Sequence, residues 1–187
     1  RELSAAGHKL YGIEFDPEWA AAAQQYYCEP IQVGDLDTME PRFPDSFFDV
    51  LIFGAVLEHF KCPERILRRL SRCLKPGGKL LVTMPNVANW FIHLHLLFGR
   101  WDYQDRGILD RTHLKFYTWK TFKQLLADSG FCVTHSEIGP IPLPLVFSWM
   151  APGKPFYFCH VINNAISNLR RPFFAFEFIV VAERSTR

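Results

Sequence analysis

Two short apolar runs constrain this chain more than anything else in it. Phe47–Phe53 (FFDVLIF) and Lys79–Met84 (KLLVTM) are nearly continuous in hydrophobic side chains. A strand of that kind must be covered on both faces, as strands inside parallel sheets are. Between the runs, Pro63 to Leu74 carries Ile66, Leu67, Leu70 and Leu74 at helical spacing, with Arg65, Arg68, Arg69 and Arg72 on the other side. Such a helix buries one stripe and wets the other. Pro76-Gly77-Gly78 ends it. Strand, crossover helix and strand form a βαβ unit.

The same alternation extends both ways. Arg1 to Ala6 reads as the end of a helix stopped by Gly7, and Lys9 to Ile13 as a strand ending at Glu14. Asp16-Pro17-Glu18 starts a helix that should run to about Tyr27, with Asp as N-cap and Pro in the first turn. Ile31–Val33 is a short strand broken by Gly34-Asp35. Beyond residue 85, Ala88 to Phe98 is predicted helical, and Thr118 caps a helix over Trp119–Asp128 that ends at Gly130. Phe131–Glu137 and Phe174–Glu183 (FAFEFIVVAE) close the pattern as strands, with a further helix expected near Phe158–Leu169. The fold class is therefore α/β: a Rossmann-like, doubly wound, mostly parallel sheet.

At 187 residues this is one domain, with 49% hydrophobic and 21% charged residues, a globular composition. A net charge of +2 is too mild to indicate a nucleic-acid partner. Five cysteines without a CxxC pair suit reduced, mostly buried thiols and a cytoplasmic setting. No apolar run approaches the roughly 20 residues that span a bilayer.

Ligands of such sheets bind beyond the C-terminal strand ends. Those ends carry Glu14, Gly34-Asp35-Leu36, Gly54-Ala55 with Glu58-His59, and Pro85-Asn86. A strand-end acid can accept from both hydroxyls of a ribose, and a second acid one unit later can accept from an exocyclic ring amine. The plainer alternatives are a solvated loop carboxylate at Glu14 and a turn aspartate bonding its own backbone at Asp35.

In order and spacing, "YGIEFDPEW", "VGDLDTM", "FPDSFFDVLIFGAVLEHF", "LKPGGKLLVTMPN" and "DRTHLKFYT" resemble the class I S-adenosylmethionine-dependent methyltransferases of small-molecule type with an LEH motif. The resemblance covers about residues 1–137 and extends to a C-terminal antiparallel hairpin. It implies S-adenosyl-L-methionine as cofactor, with Glu14 on the ribose, Phe15 lining the adenine, Asp35 and Leu36 reading its edge, and Gly54 and Ala55 beside the methionine half. The family's first strand and glycine-rich loop have no counterpart in these residues. That strand lies mid-sheet in the family, so its removal leaves two unpaired inner edges. The expectation is an N-terminally truncated domain over 1–187, inactive in this form, with 87–117 and 141–172 as substrate or lid insertions.

Methyl transfer mainly needs an oriented nucleophile and a base. His59 is the candidate base and Glu58 its neighbour, while Asn86, Arg111 and His113 are expected to face the acceptor. The alternatives are a packing or capping role for His59 and an internal ion-pair and capping network of Asp105, Arg106, Asp110 and Arg111 that fixes the long loop. No metal is expected, because Ala55 stands where an ExxEH-type set has its first acid. The expected acceptor is a small or lipid-linked metabolite. The aromatic segment 141–172 is expected to pack on the sheet, cover an apolar acceptor or rest on a membrane surface. Two other readings fit part of the pattern, a nicotinamide-dependent dehydrogenase and a non-catalytic Rossmann-like module. The Gly34-Asp35 turn, the LEH segment and the closing hairpin favour methyl transfer.

Overall fold

Asp16 accepts hydrogen bonds from the amides of Glu18 and Trp19, and with Pro17 behind it the chain has little choice but to turn into a helix. A computed structural model describes residues 1–140 and 170–185. In chain order these form α1 (Glu2–Ala5), β1 (Ile13–Glu14), α2 (Pro17–Ala23, continued as a 3₁₀ turn over Gln24–Tyr26), β2 (Gln32–Val33) and β3 (Phe48–Gly54). A second 3₁₀ turn (Leu57–His59) leads to α3 (Pro63–Ser71), β4 (Leu74–Pro85), α4 (Trp90–Leu97) and α5 (Trp119–Asp128). β5 (Phe131–Gly139), α6 (Arg171–Phe174) and β6 (Glu177–Arg184) complete the described chain. Residues 141–169 lie outside the described residues, and with them most of the expected 141–172 insertion, the helix near Phe158–Leu169 and Cys159.

The described strands form two sheets. β1 and β2 pair in parallel over two residues each, and a four-stranded sheet has the order β3-β4-β6-β5. β3 and β4 are parallel, whereas β6 enters between β4 and β5 antiparallel to both. The mixed α/β architecture and its closing antiparallel hairpin match the sequence reading.

Several local expectations are corrected. Leu74, expected in the helix, is already a strand residue opposite Phe48, because α3 stops at Ser71 and the chain resumes pairing at once. The Pro76-Gly77-Gly78 segment is thus an irregularity inside β4, where Phe48 pairs Leu74 but Val50 pairs Lys79. β1 has two paired residues instead of five. β3 is not covered on both faces: Phe53 is buried, but Val50 and Ile52 are about half exposed. Of the cysteines, Cys73 is buried while Cys28 and Cys132 are exposed.

The core lies on one face of the larger sheet. Leu80, Val82 and Met84 of β4 and Phe178, Val180 and Ala182 of β6 alternate inward. They meet Ile66, Leu67 and Leu70 of α3 and Phe122, Leu125 and Leu126 of α5. A separate cluster of Ile92, Ile108 and Leu109, joined by Val87, Trp101, Phe116 and Phe176, ties α4 to the long 98–118 connection. No helix among the described residues is long and apolar enough to cross a membrane.

Candidate functional site

β3 ends in an unusual turn. Gly54 has open space where a Cβ would sit, and Ala55 follows in the left-handed region at φ 49°. That conformation costs a non-glycine residue roughly 1 kcal/mol. It is held by the Ala55 amide, which donates to Thr83 Oγ1 of β4 at 2.8 Å. The turn throws the chain directly into Leu57-Glu58-His59, with Leu57 anchored in the core.

Two amides from the 98–118 connection clamp this segment, since Leu114 N and Lys115 N both donate to Glu58 O, at 2.9 and 3.0 Å. The clamp brings His113 over Glu58. The Glu58 side chain is 1% exposed, and among the described residues neither carboxylate oxygen has a hydrogen-bond partner. Burial pushes its carboxyl up to about 7, and the charges of Glu177 and Asp110 add to the rise. His113 Nε2 lies 3.8 Å from Glu58 Oε1, a distance that would suit an ion pair. Burial, however, also drives the His113 imidazole below its ordinary value. With the acid raised and the base lowered, both shifts work against the doubly charged pair, and the contact is not a full salt bridge.

Both imidazoles have assignable tautomers. His113 Nδ1 lies 3.0 Å from Ile108 O and His59 Nδ1 3.2 Å from Thr112 O. A carbonyl only accepts, so each Nδ1 carries the proton and each Nε2 keeps its lone pair. Thr112 Oγ1 also lies 3.1 Å from His59 Nδ1 and donates to Asp110 Oδ1 at 2.6 Å. Burial raises the Asp110 carboxyl, but the Thr112 hydroxyl and amide outweigh it and hold the group below its usual range. Asp110, expected as a capping residue of the long loop, does accept from Thr112 N, while the role of Thr112 was not anticipated, although Asp-x-Thr has the spacing of a side chain that caps its own turn.

The other expected residues stand as follows. Glu14 Oε1 accepts from Phe15 N and Asp16 N, at 2.8 and 3.1 Å. Phe15 is 73% exposed. Asp35 Oδ1 accepts from Asp37 N at 2.8 Å, the self-bonded turn that the plainer reading describes. Leu36 packs on the core, and its carbonyl accepts from Arg69. Asn86 is fully buried; its amide donates to Pro172 O and Ala175 O, and its oxygen accepts from Ala88 N. Both amide hydrogens are thus spent on the scaffold. Arg111 is exposed and pairs with the exposed Asp105 at 2.8 Å. The fold therefore brings Glu58, His59 and His113 together and leaves Asn86 and Arg111 in other roles. No metal set was expected, yet donor atoms of these three residues lie within 4.8 Å of one another.

Residues 1–136 match the family described as a methyltransferase domain. A demethylmenaquinone methyltransferase from Listeria welshimeri is 25% identical over 147 residues, which is 70% of this chain and 62% of that protein. The chain therefore spans about three fifths of that relative's length. A rat thiol S-methyltransferase, TMT1B, is 27% identical over 129 residues, covering 67% of this chain and 46% of its own. Among solved structures, a SAM-dependent methyltransferase from Methanosarcina mazei superposes with a TM-score of 0.63 at 16% identity, over 100% of this chain and 86% of its own. One from Archaeoglobus fulgidus gives 0.59 at 18% identity, over 98% and 79%. At these identities the structural likeness speaks to the fold.

Proposed function

Because the chain belongs to the methyltransferase-domain family, we propose that it transfers a methyl group from S-adenosyl-L-methionine to a small or lipid-linked acceptor. The carrying observation is the sequence of strand ends. Glu14 and Gly54 end β1 and β3, Asp35 and Ala55 stand just past β2 and β3, and Glu58-His59, joined by His113 from the 98–118 connection, lie within a few residues of Ala55.

The residues present fit the cofactor's nucleoside half. Two backbone amides fix the Glu14 carboxylate through Oε1, and among the described residues Oε2 makes no hydrogen bond, so it is available to ribose hydroxyls. Asp35 is anchored the same way through Oδ1. Phe15 offers an exposed aromatic face beside Glu14, and Gly54 leaves open space at the end of β3. When bound, this cofactor supplies an electrophilic methyl group on a sulfonium. The chain's own task is then to orient an acceptor and accept its proton. His59 is suited to it, because Thr112 holds Nδ1 and leaves Nε2 as the accepting nitrogen. Glu58, buried behind it, is a second proton site.

The names of the relatives support the acceptor class: one acts on demethylmenaquinone and another on thiols. Leu94, Leu96, Leu97 and Phe98 are exposed on and after α4, a surface suited to an apolar acceptor. The test uses protein expressed from its complete gene. It should bind S-adenosylhomocysteine in calorimetry, and Glu14→Ala should weaken that binding about 10–100-fold, the loss of charged hydrogen bonds worth roughly 1.5–3 kcal/mol. Labelled methyl transfer to quinol, thiol and amine acceptors would then identify the acceptor atom. No binding by the wild type would defeat the reading.

A further inference from the structure

We propose that Glu58, His59 and His113 form a binding site for a divalent transition-metal ion of the Zn²⁺ type, open on one side. Three independent features point there. A carboxylate that is 1% exposed and has no hydrogen-bond partner for either oxygen among the described residues is expensive to bury, and a cation is the group that offsets it. Two imidazoles converge on that carboxylate, with donor atoms of all three residues inside 4.8 Å. Ligands about 2.0–2.2 Å from a metal stand roughly 3–3.5 Å apart at tetrahedral angles. The 3.8 Å between Glu58 Oε1 and His113 Nε2 needs only a slight closure to match.

The third feature is the backing of each ring. Metal-bound histidines almost always donate their other N–H to a carbonyl or carboxylate, which fixes the ring and raises its basicity. Here both do so: His113 Nδ1 to Ile108 O, and His59 Nδ1 to Thr112 O, with the Thr112 hydroxyl relayed to Asp110. Two nitrogens and one carboxylate select a borderline ion over Mg²⁺ or Ca²⁺, which prefer all-oxygen shells. Three protein ligands leave a coordination position for an oxygen, sulfur or nitrogen of a small molecule. Only that last role rests on the methyl-transfer reading; there the ion, not the free His59 ring, would promote ionisation of the acceptor. Metal binding itself needs neither cofactor nor acceptor.

The test is metal titration of protein stripped with a chelator and returned to chelator-free buffer. Zn²⁺ calorimetry should give one site per chain, and Co²⁺ should develop visible d–d absorption at the same stoichiometry. Glu58→Gln and His113→Ala should each weaken binding by about 100-fold or more, and Thr112→Val, which loses only the backing hydroxyl, by about 10-fold. Circular dichroism of each variant distinguishes lost ligation from lost fold; should His113→Ala not fold, Thr112→Val carries the test. No stoichiometric Zn²⁺ uptake by the wild type overturns the proposal. So does unchanged uptake in the folded variants, which would assign the metal to exposed thiols such as Cys28 and Cys132. S-adenosylhomocysteine binding, measured on the same samples, reports separately on the methyl-transfer reading.

Discussion

Glu14 and Asp35 each spend one carboxylate oxygen on nearby backbone amides. An acid tied down in this way is preorganised for a ligand at its second oxygen, so the turn role and the binding role are complementary. Asn86 shows the opposite outcome, since its buried amide is consumed by the carbonyls of residues 172 and 175 that launch α6 and β6. Asn86→Ala strands those buried carbonyls and should cost about 2–3 kcal/mol in urea unfolding. Asn86→Asp, of the same size, should fail similarly because a carboxylate cannot donate. Tyr117 provides a pH test well away from neutrality. Burial, reinforced by the charges of Glu64 and Glu58, pushes its phenol up to about 12, against about 10 when unfolded. A group with a raised folded pKa contributes its stability below the unfolded value and loses it as pH rises toward the folded one. Alkaline unfolding monitored by phenolate absorbance should therefore show a tyrosine, Tyr117, ionising late, above pH 10. In Tyr117→Phe that late step should vanish.

Helix boundaries were largely legible, because their signals are local. Thr118 accepts from Thr121 N in a capping box, and Gly130 takes φ 85° just past the end of α5, so Trp119–Asp128 is found where the sequence puts it. Strand extents were not legible, because a strand exists only where another strand pairs with it. Lys9–Tyr11 has strand-like composition, yet pairing is confined to Ile13–Glu14 against Gln32–Val33. Likewise the exposure of Val50 and Ile52 follows from what lies beside β3, which its own apolar run cannot report. The division into a two-stranded and a four-stranded sheet has a measurable consequence. Amides of β4 and β6, each paired across several residues and packed on the core, should exchange with solvent slowest. Those of β1 and β2 should exchange by local opening, orders of magnitude faster. Equal protection in both sheets would mean that they open as one unit.

For the molecule as a whole, the α/β class, the order of the described elements, the closing hairpin and the acids at successive strand ends could all be read from the sequence. All are written in short-range patterns of apolar spacing, caps and turns. It also named Glu58, His59 and His113, but with Glu58 and His59 as neighbours on one turn and His113 as a separate acceptor-facing residue. That the three share one cluster around the buried Glu58 follows from the packing of distant segments. More than fifty residues separate His59 from His113, and their meeting depends on the amides of Leu114 and Lys115 bonding Glu58 O and on a small apolar cluster holding the connection to α4. The tertiary structure likewise withdrew Asn86 into the scaffold and put Arg111 in a surface pair. Periodicity fixes which face of an element is apolar. Which distant side chains converge, and whether a polar group is spent or free, depends on hydrogen bonds and packing between segments that the local pattern does not encode.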